Sequence, residues 1–176
     1  MDGAVPDAAG LYAIYGDSGV WKALGLEDAP DDRPLYVGKA EDSLVSRDLN
    51  THFATGKTGW SSPRRSFAAL LADELKLTAM PRRPASPEPK RYSCYGLEQA
   101  GDERLSQWMR ERLSLATWAC PLGTHLVIVE GNIMRVLGPP LNLTGVDQPW
   151  KRQVKDARKV LTAEAKQWAR AHGYPV

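Results

Sequence analysis

The sequence predicts an α+β fold: a small, mainly antiparallel central sheet flanked by helices, with a basic helix appended at the C-terminal end. Three observations predict it. Short apolar and aromatic runs next to glycine, Leu11 to Tyr15 and Leu35 to Gly38, have strand character. Other stretches carry apolar residues at helical spacing, as in Leu105, Trp108, Met109 and Leu113. The stretch from Trp150 to His172 is long, amphipathic and rich in lysine and arginine. Strands mixed with helices at this spacing pack as an α+β sandwich. At 176 residues and 43% hydrophobic content, the chain is large enough to bury its own core as one domain.

Taken in order, Leu11 to Tyr15 lies between Gly10 and Gly16 and forms the first strand. Val20, Ala23 and Leu24 allow one or two helical turns, and Asp28 to Pro34 is a polar turn. Leu35 to Gly38 is a second strand, antiparallel to the first. Glu41, Asp42 and Ser43 supply N-cap candidates for a helix ending near Phe53. A loop from Thr55 to Pro63 surrounds Trp60. Pro63 then opens a helix from Arg64 to about Leu77, with Phe67, Leu70, Leu71 and Leu75 on its apolar stripe. Pro81 to Pro89 is linker-like, and residues 80–101 are a candidate insertion. Arg91 to Tyr95 is expected as a third strand, Asp102 to Leu113 as a helix and Leu115 to Cys120 as a further strand. Leu126 to Leu137 is expected as a helix burying Leu126, Val129, Ile133 and Leu137, ended by Gly138-Pro139-Pro140. Residues 1–145 thus form the main unit. Residues 146–176 form the basic helix, which packs on it through Val154, Ala157, Val160, Leu161 and Trp168.

Net charge is only +2, so global charge does not mark a nucleic-acid binder. Local charge is more informative. Lys151, Arg152, Lys155, Arg158, Lys159, Lys166 and Arg170 crowd the last helix, and the pairs Arg64-Arg65 and Arg82-Arg83 add two basic spots. Acidic residues gather elsewhere, at Glu27-Asp28 and Asp31-Asp32. This asymmetry fits one polyanion-binding face, or else solvated helix faces. Cys94 and Cys120 form no CxxC and have no histidine at ligand spacing, which argues against zinc and for a reduced, cytoplasmic setting. Neither a signal peptide nor a membrane span is expected, because no apolar run approaches about 18–20 residues.

Several residues carry chemistry. Glu130 interrupts the apolar run from Leu126 to Met134; a carboxylate there needs a partner, an ion or an exposed position. A single carboxylate with waters and substrate oxygens makes an ordinary magnesium site. Gly38, after a strand tyrosine, suits either a tight turn or the close approach of a phosphate. The stretch with Thr58, Trp60, Ser61, Ser62, Arg64, Arg65 and Ser66 offers hydroxyls and helix N-terminal amides for phosphate, and an indole for base stacking. Arginines in a helix's first turn oppose its dipole, which favours an external anion.

Five short elements, in order, resemble the GIY-YIG nuclease superfamily. They are Gly10-Leu11-Tyr12, with Leu in place of the usual Ile; Tyr36-Val37-Gly38; Arg47 on the following helix; Glu130 within Val127 to Asn132; and Pro139-Pro140-Leu141-Asn142. The resemblance covers residues 10–142, and its wording is closest to the restriction-endonuclease branch. It implies a metal-dependent DNA endonuclease with Mg²⁺ or Mn²⁺ held by Glu130. It implies Tyr12 as general base with Tyr36 in support, Arg47 forked onto a phosphate, and His52 and Asn142 as further catalytic residues, with Gly38 and Lys39 supporting. A tyrosine titrates near ~10 in water, so a base of this kind needs nearby positive charge, from Lys39 and Arg47. The implied partner is DNA, duplex or branched, contacted by Trp60, Arg64, Arg65, Lys151, Arg152, Lys155 and Arg158; a homodimer would cut both strands. The competing functions are a non-cleaving nucleic-acid-binding module on the same fold and a protein-interaction domain.

One spacing departs from that pattern. His52 lies five residues after Arg47, where the family places its histidine four on. At about 100° per residue, five α-helical steps rotate a side chain about 140° away, and four only about 40°. Either this helix contains an irregularity, or His52 lies off the face of Arg47.

Overall fold

The computed structural model describes residues 5–26, 32–86 and 88–176, without the side chains of residues 47–49. Part of the expected turn from Asp28 to Pro34 lies outside the described residues. The strands are β1 (Gly10–Gly16), β2 (Tyr36–Ala40), β3 (Ala79–Met80), β4 (Gly96–Leu97) and β5 (Leu113–Ala119). The α-helices are α1 (Ser18–Ala23), α2 (Leu44–Arg47), α3 (Ser62–Leu70), α4 (Lys90–Ser93), α5 (Gln99–Arg112), α6 (Leu126–Leu137) and α7 (Lys151–Ala171).

β1 lies at the centre of a three-stranded sheet, antiparallel to β2 on one side and β5 on the other. This is the expected α+β architecture. The register pairs Tyr12 with Gly38 and Ile14 with Tyr36. Strand alternation therefore puts Tyr12, Ile14, Tyr36 and Gly38 on one face. That face meets the core, where Ile14, Leu44, Phe67, Leu105 and Met109 are fully buried. Gly10 is needed where β1 and β5 touch, because a Cβ there would sit 2.1 Å from the Trp118 carbonyl oxygen.

Local chemistry sets the helix ends. The Asp17 side chain accepts the Val20 N–H at 2.9 Å and caps α1. Ser61 caps α3, with Pro63 in its first turn. α6 ends at Gly138, whose φ of 53° is the left-handed conformation that closes helices. α7 packs against α3, α4 and β3, burying Val154, Leu161, Ala165 and Ala169. Among the described residues no helix is long and apolar enough to cross a membrane.

Four expectations need correction. Arg91 to Tyr95 is not a strand; it holds α4 and a turn before β4. A short mixed run of this kind does not separate helix from strand by period alone. α3 stops at Leu70, and the chain turns through Lys76, whose φ is +49°. No residue of α6 is fully buried, so Leu126, Val129, Ile133 and Leu137 are only partly covered. Val160 is 66% exposed, because the buried stripe of α7 passes through Ala165 and Ala169 instead.

Candidate active site

The helix after β2 settles the spacing question. Leu44–Arg47 is α-helical, but Asp48–His52 is a π-helical turn. The Thr51 hydroxyl donates at 3.2 Å to the Ser46 carbonyl, five residues back. A turn bonded from i to i+5 takes up one more residue than an α-turn. The register between positions 47 and 52 that an α-helix would lose is thereby recovered. Arg47 closes α2, and its side chain lies outside the described residues.

The π-turn delivers His52 to the core face of the sheet, where it is fully buried. His52 Nε2 lies 2.6 Å from Tyr12 Oη, and His52 Nδ1 lies 2.7 Å from Ser61 Oγ. Ser61 Oγ also accepts the Arg64 backbone N–H at 3.2 Å. A serine oxygen has one proton and two lone pairs, so the chain can run in either direction. With Nδ1–H donating to Ser61, Nε2 accepts the Tyr12 proton. With Ser61 donating to Nδ1, Nε2–H donates to a Tyr12 oxygen. Tyr36 completes an aromatic cluster, its ring centroid 6.1 Å from Tyr12 and 6.2 Å from His52.

Gly38 has a specific reason to lack a side chain. A Cβ there would fall 2.3 Å from Tyr12 Oη and 2.4 Å from its Cζ. The Tyr12 ring lies across this glycine and is by itself sufficient reason for the missing side chain. Asn142 is also explained by backbone. Its Oδ1 accepts the Val37 N–H at 2.9 Å, and its Nδ2 donates to the Val37 carbonyl at 2.7 Å. It closes the free edge of β2 beside Tyr36 much as another strand would. Both ends of the Asn142 amide are thus engaged with the backbone of β2.

Tyr12, Tyr36, Lys39 and Glu130 line one cleft of about 460 Å³. Lys39 forms an ion pair there with the exposed Glu41, which holds the Glu41 carboxyl below its usual range. Glu130, on α6, brings a hard oxygen donor. Among the described residues no three His, Cys, Asp or Glu side chains gather as a metal cluster. One carboxylate on a wet cleft still fits a magnesium-type ion, which keeps several waters and takes further oxygens from substrate.

Tyr36 and Glu130 also line an adjoining cleft of about 470 Å³, together with Ser62, Asn142 and Arg158. The sequence placed Arg158 with the other lysines and arginines of the last helix. The fold separates it from Lys151, Arg152 and Lys155, which line a different groove along α7.

Arg64 is a clear correction. Expected at a nucleic-acid surface, its side chain is 0% exposed and ion-paired at 3.2 Å with Asp102, itself nearly buried. It donates to Ser106 Oγ at 2.8 Å, Thr58 Oγ1 at 3.1 Å and the His52 carbonyl at 3.2 Å. Asp102 further accepts from Thr58 and from the Gly56 N–H. Burial pushes the Arg64 guanidinium below its ordinary value, and Asp102 opposes that shift. This buried network anchors the end of the π-turn to α5. Arg65 is half-buried and donates to the Gly59 carbonyl at 3.0 Å. Trp60 stays 43% exposed, with Arg82 5.5 Å, Lys57 5.9 Å and Arg83 5.9 Å from its ring.

Sequence reasoning weighed Ser61 as a phosphate contact and missed its bond to His52. The available signal was its place as the N-cap just before Ser62-Pro63.

The family model for the GIY-YIG catalytic domain matches residues 25–160. The matched span begins after β1 and runs on into α7. No curated protein and no solved structure matches the chain.

Proposed function

The chain belongs to the GIY-YIG catalytic-domain family, a nuclease-type family, and from that premise we propose that it is a divalent-metal-dependent endonuclease hydrolysing phosphodiester bonds in DNA. The observation that carries this reading is the hydrogen-bonded chain Tyr12–His52–Ser61, set behind a cleft whose walls include Glu130 and Tyr36. A buried phenol bonded to a buried imidazole is a way to move a proton, and the cleft gives that phenol access to a water. The first tyrosine element precedes the matched span, so its role rests on this geometry and on the resemblance of its motif.

In this reading Tyr12 takes the proton of the attacking water, and His52 Nε2 accepts the Tyr12 proton in turn. Ser61 keeps the imidazole in the plane and tautomer that this requires. General-base assistance of this kind contributes about 10²–10⁴-fold. Arg47 forks onto a phosphoryl oxygen with parallel hydrogen bonds. Glu130 holds Mg²⁺ or Mn²⁺, which when bound offsets charge on the phosphoryl and leaving oxygens. Asn142 keeps Tyr36 and Val37 in place. Trp60, with its ring of cations, stacks on a base, and Lys151, Arg152 and Lys155 track the phosphate backbone.

The test is plasmid cleavage by the purified protein with Mg²⁺, with Mn²⁺ and with chelator. Nicking or linearisation is expected with either metal and none with chelator. Glu130→Ala should keep DNA affinity while losing at least about 100-fold in rate. Salt-dependent DNA binding without cleavage in any divalent metal would instead identify a binding module on a nuclease fold.

A further inference from the structure

Arg158 stands apart from every motif that marks the family resemblance, which ends at Asn142. It comes from the second turn of α7, yet it lines the cleft shared by Tyr36, Glu130 and Asn142. The packing of α7 against α3 brings it there. Its guanidinium donates to Ser62 Oγ at 3.4 Å, a long bond that leaves most of its five donors for something else. Among the described residues it pairs with no carboxylate. A half-buried guanidinium beside a cleft, with no carboxylate partner among the described residues, is suited to an anion from outside.

A second cation strengthens the case. Arg65, one turn into α3, lies close enough to Arg158 to feel its charge, and after burial this is the next largest cause that lowers the Arg65 guanidinium. Arg65 Nε is buried with no hydrogen-bond partner among the described residues. Two neighbouring guanidiniums repel one another, and an anion between or beside them relieves the repulsion. The anion available to a nuclease in this cleft is a backbone phosphate.

We propose that Arg158 is a further catalytic residue, whose guanidinium grips the DNA phosphate seated between Tyr36 and Glu130 and stabilises the charge that develops on it. This rests on the nuclease reading and extends it. α7 thereby contributes to the reacting centre, as well as carrying the outer track of Lys151, Arg152 and Lys155. Substrate is then held by two elements that line the cleft, α6 through Glu130 and α7 through Arg158.

The experiment is single-turnover plasmid cleavage at saturating enzyme, with DNA affinity measured separately in Ca²⁺. Arg158→Ala should lower the saturated rate by roughly 100-fold, the scale of losing one charge-stabilising donor in a transition state, with a much smaller change in affinity. Arg158→Lys keeps the charge but not the fork and should restore only part of the rate. Arg158→Gln keeps a polar, uncharged side chain that ends short of Ser62, so a slow variant with wild-type melting separates chemistry from folding. Lys159→Ala, the next position on α7 but in the outer groove with Lys151, Arg152 and Lys155, should weaken affinity modestly and leave the saturated rate unchanged. A wild-type saturated rate in Arg158→Ala overturns the proposal, as does weakened binding with the rate intact, which would return Arg158 to the outer track. A wild-type protein that does not cleave overturns the nuclease reading itself, and this proposal with it.

Discussion

Adding one methyl group at Gly38 should separate folding from catalysis. The Cβ of Gly38→Ala would lie 2.3 Å from Tyr12 Oη, so the ring must retreat by roughly 1 Å to regain van der Waals contact. The Tyr12–His52 bond is 2.6 Å long, and a shift of that size lengthens it past useful geometry or tilts it out of line. Misplacing a reacting group by about 1 Å can cost about 10²-fold, or roughly 2.7 kcal/mol of barrier. Stability should change less. Overpacking costs about 1–3 kcal/mol, offset by the ~0.5–1 kcal/mol that alanine gains over glycine inside a strand. The melting temperature of a chain this size should therefore fall by less than about 10 °C. The assay pairs a thermal melt with single-turnover cleavage in Mg²⁺. The expected result is a cooperative melt with cleavage reduced about 100-fold. In a Tyr12→Phe background, where the hydroxyl is already gone, Gly38→Ala should cost little further activity. Wild-type cleavage by Gly38→Ala would refute the idea that Tyr12 must lie across this glycine to act.

Deleting Asn50 removes the extra residue of the π-turn and should return Leu44–His52 to α-helical register. His52 then lies four α-helical steps after Arg47, about 40° away, so the side chain keeps its face and cleavage should persist; a folded deletion variant that no longer cuts would show that the π-turn does more than restore register. Asp102→Ala leaves the fully buried Arg64 guanidinium without its counter-charge. A loss of about 3–5 kcal/mol is expected, seen as a melting temperature about 6–20 °C lower. Unchanged melting would mean that solvent or another acceptor reaches Arg64.

The local elements of this protein were legible in its sequence because each rests on nearest neighbours. Glycine-bounded aromatic runs made β1 and β2, helical spacing marked α5, α6 and α7, and a glycine before two prolines ended α6. The order of Gly10-Leu11-Tyr12, Tyr36-Val37-Gly38, Arg47, Glu130 and Asn142 pointed to the family that matches residues 25–160. Even the irregular helix left a trace, in the extra residue between Arg47 and His52. What the sequence could not determine were meetings between distant faces. Tyr12 and His52 are 40 positions apart, and Asn142 reaches back 105 to the backbone of Val37. Adjacent arginines part company in the same way. Arg64 turns inward to Asp102, while Arg65 stays half-buried beside Arg158. A helix turns about 100° per residue, so neighbours in sequence face different surroundings, and only the packing of α3 between α5 and α7 decides which one meets solvent, a carboxylate or another cation.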